Sequence, residues 1–229
     1  AWTSRDSGVA VHVPAFLREA VEEVAFAARK SEYLDQSSGV SARLPISLLE
    51  NVISNAERRA LLTGATEVCV RPIDFQPAVS AVAGKVELVY QGEQEGAQNV
   101  GRHLVGQGLK RVFDRLLPDP GGESGDDEEA VFGPYKSVLD HFNRGGRIEL
   151  DDTATIDQTR EALRAIAGLE KLADEHIPMD EPKRERPAAM EFILEGLHQA
   201  RMLGKDDVDG RINYYDALGD MMRDIEEAM

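Results

Sequence analysis

The chain has 229 residues, with 26 Lys+Arg against 42 Asp+Glu, one cysteine (Cys69) and 42% hydrophobic residues. That is enough apolar content for a real core in one large domain or two small ones, and too much for a disordered chain. Apolar runs are only a few residues long, no secretory leader is visible and a lone cysteine cannot form an internal disulfide, so a soluble cytoplasmic protein is expected.

Charge divides the chain. Residues 1–118 carry 13 Lys+Arg and 14 Asp+Glu, whereas residues 119–229 carry 13 and 28. A half with a net charge of -15 repels phosphate backbones and anionic lipid, which argues against nucleic acid and membrane surfaces as ligands. The break coincides with Pro118-Asp119-Pro120-Gly121-Gly122, followed by Asp126-Asp127-Glu128-Glu129. Turn formers followed by like charges predict a flexible acidic linker over 119–134.

Taken in chain order, hydrophobic periodicity predicts helices almost throughout. The first runs over about 14–30, with Pro14 at its start and Leu17, Val21, Val24 and Ala28 on one face. The second opens near Pro45, carries Ile46, Leu49, Val52, Ile53, Ala56 and Ala60, and closes at Gly64 as a left-handed cap. A third follows Asp74 through Val79, Val82 and Val86, and a fourth spans about 95–117. Beyond the linker come a short helix (Val138, Leu139, Phe142), one strand at Arg147–Leu150 and a helix over 156–176. A loop at 178–187 and helices over 188–203 and 212–228 complete the chain. The expected fold is all-α with little or no sheet: a four-helix bundle over 14–118, then an acidic helical unit over 135–229.

Several catalytic signatures are missing. No phosphate-loop string occurs; Gly84-Lys85 has Val79 and Val86 where a glycine and a hydroxyl residue belong. Gly106-Gln107-Gly108 sits in a helical pattern without a preceding strand. His12, His103, His141, His176 and His198 are scattered, so no metal site is predicted. Lys205–Asp216 resembles a calcium loop, with Asp207, Asp209, Gly210, Ile212 and Asp216 in register. However, Lys205 stands where the first carboxylate belongs and Asp216 replaces the final glutamate, so an Asp-rich turn with Gly210 at positive φ is the preferred reading.

The most informative stretch is the polar loop Lys30–Ala42, which ends in Arg43 just ahead of a helix start. A permanently charged planar fork beside free helical N–H groups suits phosphate oxygens. A surface salt bridge from Arg43 to Glu50 or Asp35 is the simpler alternative. Arg58 and Arg59 are adjacent on a helix and point about 100° apart, so at most one faces any given neighbour, and solvation is the default for both.

Longer strings sharpen this picture. Ala25–Tyr33, Gln36–Leu44, Asn55–Ala60 and Gly84–Gly96 resemble the helical lid domain of AAA+ ATPases of the magnesium-chelatase ATPase-subunit and MoxR-like group. The Gly39-Val40-Ser41-Ala42-Arg43 string is similar to that family's sensor 2 segment. The resemblance implies that Arg43, supported by Ser41 and Gly39, reaches the terminal phosphates of ATP with Mg2+ on a neighbouring α/β ATPase core. It also implies a ring homo-oligomer, usually a hexamer, and a partner protein with a von Willebrand A-type domain.

The chain departs from the family in lacking Walker A, Walker B, sensor 1 and arginine-finger segments. Ile148-Glu149-Leu150-Asp151-Asp152 has only a faint Walker B look. With a start at Ala1 and a helix almost at once, the expectation is the lid and extension of a longer ATPase, residues 1–13 being the connector from its core and the fragment alone inactive. A nucleotide-independent acidic module that binds a basic partner is the alternative.

Overall fold

The computed structural model describes residues 2–4, 7–37, 40–121, 133–208, 210–217 and 219. The chain is mostly helical, with two small three-stranded sheets, and divides into two compact units. The first comprises Ala1–Val112 with Pro178–Glu181, the second Phe113–Ile177 with Pro182–Met229. No helix among the described residues is long and apolar enough to cross a membrane.

The first unit opens with strands β1 (Trp2–Ser4) and β2 (Ala10–His12), which pair antiparallel. Residues 1–13 were expected only as a connector. Val9, Val11 and Val13 alternate on one side and are buried, which favours a strand in so short a segment. Helix α1 (Ala15–Ala28) follows, with Leu17, Val21, Val24 and Ala28 buried as the periodicity predicts.

Helix α2 (Arg43–Thr63) starts two residues before Pro45, and a proline this close to a helix start displaces no intrahelical hydrogen bond. Gly64 caps it at φ 69°, donating its N–H to the last-turn carbonyls of Ala60 and Leu61. The buried stripe is Leu44, Leu48, Val52, Ala56 and Ala60, whereas Ile46 is 59% exposed. Leu-Pro-Ile-Ser-Leu-Leu accommodates either rotation of the stripe, and the neighbouring elements select this one.

Strand β3 (Glu67–Cys69) runs parallel to β2, and the 3-10 turn Pro72–Phe75 leads to α3 (Val79–Ala83). The last long helix of the unit comes in two pieces, α4 (Tyr90–Glu95) and α5 (Ala97–Leu116), divided by Gly96 at φ 88°. A side chain at Gly108 would place its Cβ 2.9 Å from the Ala20 carbonyl oxygen and from the Val24 nitrogen, so this glycine lets α5 lie close against α1. The Gly-Gln-Gly string is therefore a packing feature.

In the second unit α6 (Lys136–Asn143) buries Val138, Leu139 and Phe142, and β4 (Ile148–Asp151) is the expected strand. The helix expected over 156–176 is broken into α7 (Ile156–Arg164) and α8 (Leu169–His176) by Gly168 at φ 82°. Helix α9 (Pro182–Gln199) begins inside the segment expected to be a loop: Pro182 suits the first turn, and Pro187 lies within the helix. The final expected helix is overturned at its start, because β5 (Gly204–Val208) and β6 (Arg211–Tyr215) form an antiparallel hairpin. Sheet order is β4-β6-β5, all antiparallel. Ile212 and Tyr214 alternate inward on β6, the period-2 signature of a half-buried strand. Most of the expected linker and of the C-terminal helix lies outside the described residues.

Candidate functional site

Arg43 is the first residue of α2 and is exposed. Its backbone N–H donates to the Ser41 hydroxyl at 3.2 Å, and the Leu44 N–H donates to the Ser41 carbonyl at 3.0 Å. Ser41 therefore shapes the turn that delivers the arginine, while Gly39 lies outside the described residues. Among the described residues no hydrogen bond or ion pair holds the Arg43 guanidinium, so the alternative pair with Glu50 or Asp35 does not form.

Upstream, the loop is built from its own polar groups. Asp35 Oδ1 accepts from the Ser37 N–H at 2.8 Å and from its hydroxyl at 2.6 Å. The Gln36 amide donates to the Ser31 carbonyl at 2.8 Å, tying the loop to the end of α1. Two of the strings that carry the family resemblance also meet here. Leu34 and Leu88 form an antiparallel bridge, with Asp35 N–H to Glu87 O at 2.9 Å and Val89 N–H to Tyr33 O at 3.0 Å. Tyr33 also lies edge-on to His103 of α5, ring centres 6.1 Å apart.

The other end of α2 is fixed by a buried ion pair that the periodicity did not reveal. Arg59 donates through Nε to Asp74 Oδ1 at 3.2 Å, and through one terminal nitrogen to Asp74 Oδ2 and to the Cys69 carbonyl, at 2.8 and 2.9 Å. Asp74 Oδ2 also accepts the Arg71 N–H at 2.8 Å. Arg59 is 3% exposed, which corrects the expectation that it is solvated, while Arg58 is exposed as expected.

The calcium-like segment is not a loop between helices. Lys205 and Asp207 lie on β5, Gly210 supplies the hairpin turn at φ 78°, Ile212 is buried on β6, and Asp209 lies outside the described residues. Among the described residues no group of three or more His, Cys, Asp or Glu is arranged to hold a metal ion. Lys205 instead donates to Glu195 Oε2 at 2.7 Å, alongside the Tyr214 hydroxyl at 2.8 Å, while Gln199 reaches Oε1 at 2.9 Å. Burial raises the Glu195 pKa, but the Lys205 charge and hydrogen bonds from Lys205 and Gln199 outweigh it, leaving the carboxyl at about 2. The sequence signal was a pair of glutamates, Glu191 and Glu195, inside an otherwise apolar run of α9. The network pins α9 to the hairpin.

The Walker B-like string is the edge strand of an antiparallel sheet, with no phosphate loop beside it. The Thr153 N–H and hydroxyl hold the Asp151 carboxyl below its usual range, and Arg211 adds to this. Between β4 and α7 lies a groove of about 320 Å³, lined among others by Glu149, Asp151, Thr153 and Gln158.

No protein-family model, curated protein or solved structure matches this chain.

Proposed function

We propose that the first unit is the helical lid of an AAA+ ATPase of the magnesium-chelatase and MoxR-like kind, with Arg43 as its sensor 2 arginine. One observation carries the reading: an exposed arginine whose guanidinium has no intramolecular partner among the described residues opens a helix of 21 residues. A guanidinium fork at a helix N-terminus favours phosphate oxygens, and the helix dipole adds to that preference. The Arg59–Asp74 pair makes α2 a rigid lever from Arg43 to β3 and the turn at Pro72–Phe75.

In this reading ATP and Mg2+ sit on a separate α/β core, the assembly is a ring, and a von Willebrand A-type partner receives the motion. ATP draws lid and core together through Arg43, and phosphate release frees them, a population shift set by one differential contact. Metal chelation is one output of such a motor, and remodelling of another target is equally compatible with these residues.

The test is the ATPase rate of the assembled enzyme containing this lid, with and without Arg43→Ala. A loss of at least about tenfold, or about 1.4 kcal/mol in the barrier, is expected with the circular dichroism unchanged. An unchanged rate would overturn the sensor assignment. The net charge of -15 over residues 119–229 favours a second reading, an acidic module that captures a basic partner regardless of nucleotide. In that case Arg43 is dispensable.

A further inference from the structure

Strand register determines where the backbone of the second sheet points. The pair Val208 and Arg211 closes a two-residue turn, so these residues exchange hydrogen bonds, as do the alternate pairs along β5 and β6. On β6, residues 211, 213 and 215 thus face β5, while 212 and 214 turn their amides and carbonyls toward β4. The Asp152 N–H donating to the Gly210 carbonyl at 3.1 Å continues the same parity. Ile148 and Leu150 therefore direct their backbone groups to β6, and those of Glu149 and Asp151 point the other way. The Asp151 carbonyl accepts the Ala154 N–H at 3.3 Å. Glu149 remains, its N–H and C=O facing the outer edge of a strand that no other strand covers among the described residues.

That edge is not flat surface. The 320 Å³ groove runs beside it, with β4 on one wall and Gln158, Thr159 and Ala162 of α7 on the other. A strand edge facing a helix across a groove can receive an extended peptide as an added strand. Two carboxylates, Glu149 and Asp151, line the groove and no basic side chain does. Arg211 approaches both from β6, at 3.9 and 3.3 Å. The chain's own undescribed segments are poor occupants on charge. Residues 122–132 hold five acidic residues and no basic one, and residues 220–229 hold four against Arg223 alone.

We propose that the groove between β4 and α7 binds an extended, lysine- or arginine-rich segment of a partner protein by β-strand addition, with Glu149 supplying the backbone contacts and, with Asp151, the charge. The proposal is independent of Arg43 and gives the acidic-module reading a defined site, on which it rests.

The test titrates the full chain with a short acetylated peptide of alternating Lys and Val, followed by amide chemical shifts. Saturable shifts centred on Glu149, Asp151 and Gln158 are expected. Glu149→Pro removes the outward-facing N–H together with the carboxylate, a backbone change an edge strand tolerates, and should weaken binding about tenfold, beyond the loss in the charge-only Glu149→Gln variant. Glu149→Gln should weaken it less and reduce its salt dependence. The same peptide methylated at alternate backbone nitrogens should fail to bind, and this control decides the matter if Glu149→Pro unfolds the chain. Equal binding of the methylated peptide, or shifts mapping elsewhere on the acidic surface, would overturn the groove while sparing the acidic-module reading. Absence of any binding would overturn both. Concentration-dependent self-association through β4 without peptide would also overturn the proposal, because the occupant would be a second copy.

Discussion

Arg59 and Asp74 form a two-point ion pair, at 3.2 and 2.8 Å, in which both residues are 3% exposed. It joins the C-terminal end of a long helix to a short 3-10 turn, and the same guanidinium reaches the Cys69 carbonyl on β3. One side chain thus ties three elements together. Arg59→Ala leaves Asp74 buried without its charge partner, and the expected loss is about 3–5 kcal/mol in urea unfolding. Arg59→Lys should recover little of this, because a single ammonium cannot reproduce the fork. A loss below about 1 kcal/mol would mean that the pair behaves like an exposed one.

Arg43 should behave in the opposite way. Its side chain is exposed and makes no hydrogen bond or ion pair among the described residues, so Arg43→Ala should change stability by no more than about 0.5 kcal/mol. Thermal unfolding of the two proteins checks this. A large loss would mean that the arginine serves the fold and would weaken its assignment as a sensor.

Glu195 makes stability depend on pH. Its carboxyl titrates at about 2 in the folded chain against an ordinary 4.5, so the folded state binds fewer protons. The contribution is complete above about pH 4.5 and is lost as pH falls toward 2. At about 1.4 kcal/mol per unit this amounts to about 3 kcal/mol. In Lys205→Met, burial acts without the opposing charge, the Glu195 pKa should rise above its ordinary value, and the acid-unfolding midpoint followed by circular dichroism should move to higher pH. An unmoved midpoint would show that Lys205 does not hold the carboxylate in solution.

Gly108→Ala should lower the unfolding temperature even though alanine is the better helix former by about 1 kcal/mol. The added methyl would meet the Ala20 carbonyl and the Val24 backbone at 2.9 Å, and overpacking of this kind costs about 1–3 kcal/mol. An increase in the unfolding temperature, read by calorimetry, would mean that α1 and α5 have room to separate.

The hairpin makes its own prediction. Gly210→Ala forces a side chain onto a residue at φ 78°, at a cost of about 1–2 kcal/mol, and brings its Cβ against the Asp152 carboxylate. Added calcium should leave the unfolding temperature of the unsubstituted chain unchanged, because Lys205 is engaged with Glu195. A calcium-dependent rise would restore the helix–loop–helix reading of 205–216.

The sequence by itself determined the local elements whose signals agree with one another. Helix α1 was legible because its apolar spacing has one solution, Gly64 because a left-handed cap needs glycine, and β4 because Ile148 and Leu150 alternate with polar neighbours. Arg43 was legible as a cation at a helix start because that position depends only on where α2 begins. Tertiary structure decided what local patterns left open. The buried face of α2 depended on its neighbours, since Leu44 and Ile46 fit the periodicity equally well. Arg59 was buried only because Asp74, fifteen residues away, comes opposite it. Residues 211–215 became a strand because β4 offered an edge and Gly210 a turn at positive φ, although the calcium-like spacing pointed to carboxylates instead. The groove beside Glu149 is lined by residues within 149–162, but only the tertiary structure decided that β4 gives its other edge to β6 and leaves this one facing the groove.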